Sequence, residues 1–189
     1  MNGWLQEVGD TVAQEFSGLT DAAQLTRIVL RLTVAAVLGG LLGIERERHG
    51  KAAGVRTHML VAMGSALFVV VSQQAGIIAT DMSRVIQGLV AGIGFLGAGT
   101  IIKGSGEEKV KGLTTAAGIW MTAAIGVAAG LGLEVTAVLS TVLALGIFSV
   151  VPWMVRHFEP PVEHLDDKPA ILRADGQKAR PAVPVDQAD

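Results

Sequence analysis

Residues 113 to 155 read LTTAAGIWMTAAIGVAAGLGLEVTAVLSTVLALGIFSVVPWMV, and Glu134 is the single charged side chain in the stretch. A bilayer core about 30 Å thick is crossed by roughly 20 apolar residues in helix. One helix running the whole stretch would be about twice too long for that core. The stretch therefore reads as two crossings, Leu113–Ala129 and Leu133–Val155, joined in a tight hairpin by Gly130-Leu131-Gly132. Lipid offers no partner for backbone N–H and C=O groups, so the crossings must be helices that satisfy their own.

Three more apolar windows of similar length precede this hairpin: Leu25–Ile44, Met59–Ile78 and Val85–Ile102. The chain is thus expected to be all-α, a multi-pass membrane protein of about five transmembrane helices. Its composition agrees, since 50% hydrophobic against 17% charged residues is more apolar surface than one soluble core of 189 residues can hide. With 24 glycines and only 4% aromatics, the helices can approach closely, and no stacking surface for nucleic acid is available. The chain has no cysteine, which excludes disulfides, thiolate metal sites and a cysteine nucleophile.

Basic residues give the spans a direction. Arg46, Arg48, Lys51 and Arg56 lie between the first two spans, and Lys103, Lys109 and Lys111 between the third and fourth. The alternate connections hold Arg84 alone and then none, while Arg156 follows the fifth span. Cytoplasmic loops are enriched in Lys and Arg, so the N-terminus is expected outside and the C-terminus inside.

The flanks differ from the 25–158 membrane domain. Residues 1–24 lack the basic leader of a secretory signal, and Trp4, Leu5, Val8, Val12 and Phe16 share one helical face. That pattern fits an amphipathic helix lying along the membrane surface, or a frayed polar tail. Residues 159–189 turn to Pro, Ala and charge with no apolar period, and are expected to be a disordered cytoplasmic tail.

Small residues recur in register at Gly39 and Gly43, and at Gly88, Gly92, Gly94, Gly97 and Gly99, a pattern expected to pack helices. The candidate functional residues are polar. Glu45-Arg46-Glu47 closes the first span with carboxylates at the negative end of the helix dipole, where they need compensation. Ion pairing within the chain is the plainer source, and a bound Mg²⁺ the other. Arg56-Thr57, and Lys111 with Thr114-Thr115, stand at helix N-termini on the same face, fitted either to ordinary capping and anchoring or to an anion. On the outer side, Arg31 lies a turn inside the first span, and Asp81, from a group with Arg84 and Gln87, is its natural partner. Trp120 is placed mid-span and is expected to be buried between helices.

Four motifs in order, Gly43-Ile44-Glu45-Arg46-Glu47, Gly54-Val55-Arg56-Thr57-His58, Gly92-Ile93-Gly94-Phe95-Leu96-Gly97-Ala98-Gly99 and Lys111-Gly112-Leu113-Thr114-Thr115-Ala116-Ala117, resemble the MgtC/SapB family. The resemblance runs from about Arg31 to Val127. It implies a bacterial inner-membrane protein whose relatives are linked to growth at low Mg²⁺, survival in macrophages and inhibition of the F-type ATP synthase. Relatives of the MgtC type carry a soluble ACT-like domain after the membrane part. Here a Pro-rich tail follows Val155, so the chain resembles the short, SapB-like branch.

These residues admit three classes of function. The first is a non-enzymatic regulator or binding protein linked to Mg²⁺ or phosphate homeostasis, and the second a small oligomeric transporter or channel. The third, an enzyme, finds no nucleophile elbow, P-loop or metal-binding helix motif to support it. No cofactor is expected beyond the Mg²⁺ alternative. The expected partners are the lipid bilayer, a second copy of the chain or another membrane protein, and no nucleic acid.

Overall fold

The computed structural model describes residues 3–16, 21–103 and 110–158. Among these are six helices: α1 (Gly3–Glu15), α2 (Ala22–Arg48), α3 (Val55–Gln74), α4 (Ala79–Ala98), α5 (Leu113–Leu131) and α6 (Glu134–Phe158). The chain is an all-α membrane protein. Contacts group it into one unit ending at Trp153 and a second from Met154. The expected tail, 159–189, lies outside the described residues.

The helices begin and end where local chemistry directs. Asp21 caps α2, its carboxylate accepting from the N–H groups of Ala23 and Gln24 at 3.1 Å. The helix runs 27 residues and carries Glu45 to Arg48 in its last turn, so that motif is helical rather than a loop. At the other hairpin, Gly132 takes φ +82° and donates to Ala129 O, while Leu133 donates to Ala128 O. This is a Schellman closure, and it shortens the expected three-residue turn by taking Gly130 and Leu131 into α5. Gly112 (φ +96°) turns the chain into α5 from a two-residue ladder pairing Ile102 with Lys111 and Lys103 with Val110. The all-α expectation did not include that ladder.

Among the described residues, four helices are long and apolar enough to cross a membrane: α2, α3, α5 and residues Glu134–Val155 of α6. The remaining expected span falls on α4, which is not among them. The helix starts at Ala79 rather than Val85 and so includes Asp81 and Arg84 ahead of its apolar run. It nevertheless lies along α3, where Leu60, Gly64 and Phe68 share a groove with Val85, Leu89 and Ile93, and its end meets α5 where Gly97 faces Ala116.

Small residues make the core. Ala35, Leu38 and Leu42 of α2, Ala62 and Ala66 of α3, and Ile125 and Ala129 of α5 pack with Ala137, Ala144 and Phe148 of α6. The outer surface is as apolar as the interior: Val135 is 83% exposed, and Val142, Leu143 and Ile147 face outward beside it. Such a surface suits lipid and would be a liability in water. Helix α1 carries Trp4, Leu5, Val8 and Val12, with Phe16 just past its end, all exposed. Trp120, expected inside, is half exposed, because its side chain meets the outward groove beside Ile86 and Val90 of α4.

The glycine pattern divides. An added Cβ at Gly39 would stand 2.5 Å from the His58 carbonyl oxygen, and one at Gly43 2.5 Å from Val55 Cα, so these two seat α2 on α3. At Gly88, Gly92 and Gly94 a Cβ would meet nothing within 4 Å. Gly97 makes ordinary contact with Ala116, and Gly99 sits against its own helix. The tightest helix contact comes from a glycine not singled out in the sequence, Gly126 of α5, where a Cβ would run into Ala62 O of α3, and Gly130, expected in the turn, lies against Ala66 of that same helix.

Candidate functional site

The C-terminal end of α2, the N-termini of α3 and α5, and the later part of α6 converge at one end of the bundle. Glu45 and Arg46 are both buried there, and Arg46 Nε donates to Glu45 Oε2. The Arg46 guanidinium also lies 3.7 Å from the centre of the Phe148 ring. The other Glu45 oxygen, Oε1, is buried 3.1 Å from His49 Nδ1 without a well-formed hydrogen bond. Of the two readings offered by the sequence, ion pairing is what the geometry shows.

The eight candidate residues of this end do not form one cluster. Glu47 turns toward α3, where its Oε2 accepts from Val55 N at 2.9 Å and caps a helix whose own cap residue, Gly54, has no side chain. Glu47, Arg56 and Thr57 border a small groove there. Arg46 and Thr114 line a separate cavity of about 590 Å³ together with His49 and Lys51. Thr115 is buried on the inner face of α5, and Lys111 is exposed on the short ladder.

Just inside this end sits a polar pair that the sequence reading passed over. His58 is fully buried, and its Nδ1 lies 2.6 Å from Thr122 Oγ1. The Thr122 hydroxyl also lies 2.9 Å from Gly118 O, so it stands between the imidazole and that carbonyl. Nε2 is buried without a well-formed hydrogen bond. Gly118 leaves room for this pair, since a Cβ there would stand 3.3 Å from Phe148 and 3.6 Å from the imidazole. The signal was present in the motif Gly54–His58, but its partner is 64 residues away.

Mg²⁺ prefers near-octahedral oxygen coordination, commonly with one or two carboxylates and several waters. Among the described residues no three His, Asp or Glu side chains converge on one point. Glu45, the buried carboxylate, already has an arginine on one oxygen and a histidine beside the other. The donor set does not fit a resident Mg²⁺.

At the opposite end, Arg31 Nη1 donates to Gln73 Oε1 at 2.7 Å and to Gly130 O at 3.0 Å. This corrects the expected pairing with Asp81. The α2 and α3 termini bring Gln73 to Arg31, while Asp81 faces Arg84 at 3.8 Å on the exposed start of α4. Gln87 is exposed one turn further on. The four outer residues do not form one cluster.

A bundle of apolar helices with a buried ion pair and a basic cavity at one end defines a polytopic α-helical membrane protein. The chain belongs to the MgtC family, whose model matches residues 32–157. It is 39% identical to "Protein SrpB" of Synechococcus elongatus, over 72% of this chain and 91% of that protein. It is 41% identical to "Putative magnesium transporter YhiD" of Escherichia coli K12, over 65% of this chain and 59% of that protein. Identity to "Protein MgtC" of Brucella abortus is 43%, over 68% of this chain and 52% of the relative. The chain thus spans most of SrpB but little more than half of the other two. No solved structure matches it.

Proposed function

We propose that the chain is a non-enzymatic protein of the bacterial inner membrane, a regulator or binding protein linked to Mg²⁺ or phosphate homeostasis, with Glu45 and Arg46 at its working end. The observation that carries this reading is the buried pair itself. Two charges are expensive to desolvate, and well-packed apolar residues of similar volume often hold a core as well or better. A pair kept at the meeting point of helix termini is thus poorly explained by stability alone. The name of the relative YhiD, a putative magnesium transporter, supports the link to magnesium.

In a host lacking its own copy, Glu45→Gln, expressed until it reaches wild-type abundance in the membrane, should abolish any support of growth at low Mg²⁺. Wild-type growth at that abundance would refute the assignment of the site. The name of YhiD favours a second reading, a transporter working as an oligomer. Passage of Mg²⁺ into liposomes holding the purified protein would select it.

The same reading places the Arg46 end in the cytoplasm, with α4 as a fifth crossing. Arg48, Lys51 and Arg56 lie in and beside the connection from α2 to α3, whereas the connection from α3 to α4 holds no basic residue before Arg84. Because the chain has no cysteine, one introduced thiol reports its side without background. A thiol from Ala52→Cys should react with an impermeant maleimide only in inverted vesicles, and one from Ile77→Cys only in intact cells or spheroplasts. The opposite pattern would invert the topology.

A further inference from the structure

The cavity beside Arg46 has two chemically different halves. Its polar half is formed by Arg46, His49, Lys51 and the Thr114 hydroxyl, and no carboxylate lines it. Glu45 is shielded by Arg46, and Glu47 is engaged at the start of α3. Arg46 is the buried member: its side chain is 3% exposed and held by Glu45 and the Phe148 ring, so its position is fixed. The apolar half is the flank of α6, where Ile147 and Val151 are exposed on the lipid-facing surface and continue the wall of the cavity outward.

We infer that this cavity binds an anionic phospholipid, its headgroup phosphate among Arg46, Lys51 and Thr114 and its acyl chains along Ile147 and Val151. Phosphate is suited to a fixed guanidinium, an ammonium on a flexible stem and a hydroxyl in the first turn of α5, where the helix dipole favours negative charge. A free phosphate ion would use only the polar half. A lipid arriving from the bilayer uses both halves, because the cavity volume of about 590 Å³ joins the basic residues to the membrane-facing side of α6. The inference locates a ligand at the same end as the proposed function, yet it stands without the link to magnesium. Glu45 does not line the cavity, so failure of the growth test on Glu45→Gln and failure of the test below are distinguishable.

Native mass spectrometry of the full chain, released from detergent carrying either phosphatidylglycerol or phosphatidylcholine, reads the site directly. One phosphatidylglycerol should remain bound under activation that strips phosphatidylcholine. Lys51→Gln and Thr114→Val, both at exposed positions that do not support the core, should each lower the retained fraction, the lysine change by about five- to tenfold. Arg48→Gln removes a nearby exposed charge outside the cavity and should leave retention unchanged. Equal retention of the two lipids, or equal losses from Arg48→Gln and Lys51→Gln, would overturn the inference in favour of a diffuse basic surface. Displacement of phosphatidylglycerol by millimolar inorganic phosphate would overturn it in favour of a free-anion site.

Discussion

Gly126→Leu is expected to leave no monodisperse protein recoverable from the membrane. Gly126 brings α5 so close to α3 that even a Cβ would penetrate the carbonyl oxygen of Ala62 and lie 2.9 Å from its Cα. These are backbone atoms of a packed helix and cannot turn aside as a side chain would. Relief requires the two helices to separate, which would also open the contact four residues on, where a Cβ at Gly130 would already stand 2.7 Å from Ala66 O. Ala62, Ala66, Ile125 and Ala129 would all lose neighbours. Overpacking in a core that can adjust costs about 1–3 kcal/mol. Here the cost should exceed that range and approach a large part of the roughly 5–15 kcal/mol that holds a domain together. Size-exclusion profiles in mild detergent, with thermal midpoints for whatever folds, would measure it. Gly92→Leu is the control, since nothing lies within 4 Å of that position, and it should be recovered at wild-type yield. A normal profile for Gly126→Leu would mean that α3 and α5 do not meet as described.

These two glycines show what was legible in the sequence and what was not. Both sit in Gly- and Ala-rich apolar windows, and the pattern Gly88-xxx-Gly92 looks better suited to packing than Gly126 does. A small-residue register marks where a close approach is available, but whether a neighbour uses it depends on how the helices are arranged. Gly39 and Gly43 do meet a neighbour, because the short connection from α2 to α3 makes those helices antiparallel neighbours. Apolar length marks the helical membrane class and the five helices α2 to α6, with shifted ends. The start of α4 was missed because its charged turn looks like a loop when read by hydropathy.

The polar residues divide in the same way. Glu45 and Arg46 are adjacent in sequence, so their pairing could be anticipated, and so could a helix end at Gly54. Arg31 was assigned to Asp81 because opposite charges attract. The fold instead supplies a neutral amide and a carbonyl, Gln73 and Gly130, which satisfy a guanidinium without a second buried charge. His58 with Thr122, and Arg46 with Phe148, join helices far apart in the chain, and no local pattern specifies such pairs.

Arg46→Met is expected to be the most damaging substitution of a charged residue. It preserves much of the stem's volume and contact with Phe148, but leaves the Glu45 carboxylate buried without its arginine. His49 stands 3.1 Å from Glu45 Oε1, yet its side chain is 55% exposed and it compensates only when protonated. Removing one partner of a buried ion pair typically costs about 3–5 kcal/mol, because the remaining charge has lost both water and its counterion. The single variant should therefore unfold at a markedly lower temperature than wild type in the same detergent. Glu45→Gln with Arg46→Met removes the stranded charge and should recover most of the loss, since paired replacement by groups of similar shape is often close to neutral. That recovery separates the structural role of the pair from its proposed functional one. A double variant that folds at wild-type abundance but fails to support growth at low Mg²⁺ would show that the charges are kept for function, whereas full growth would leave the pair a structural feature only.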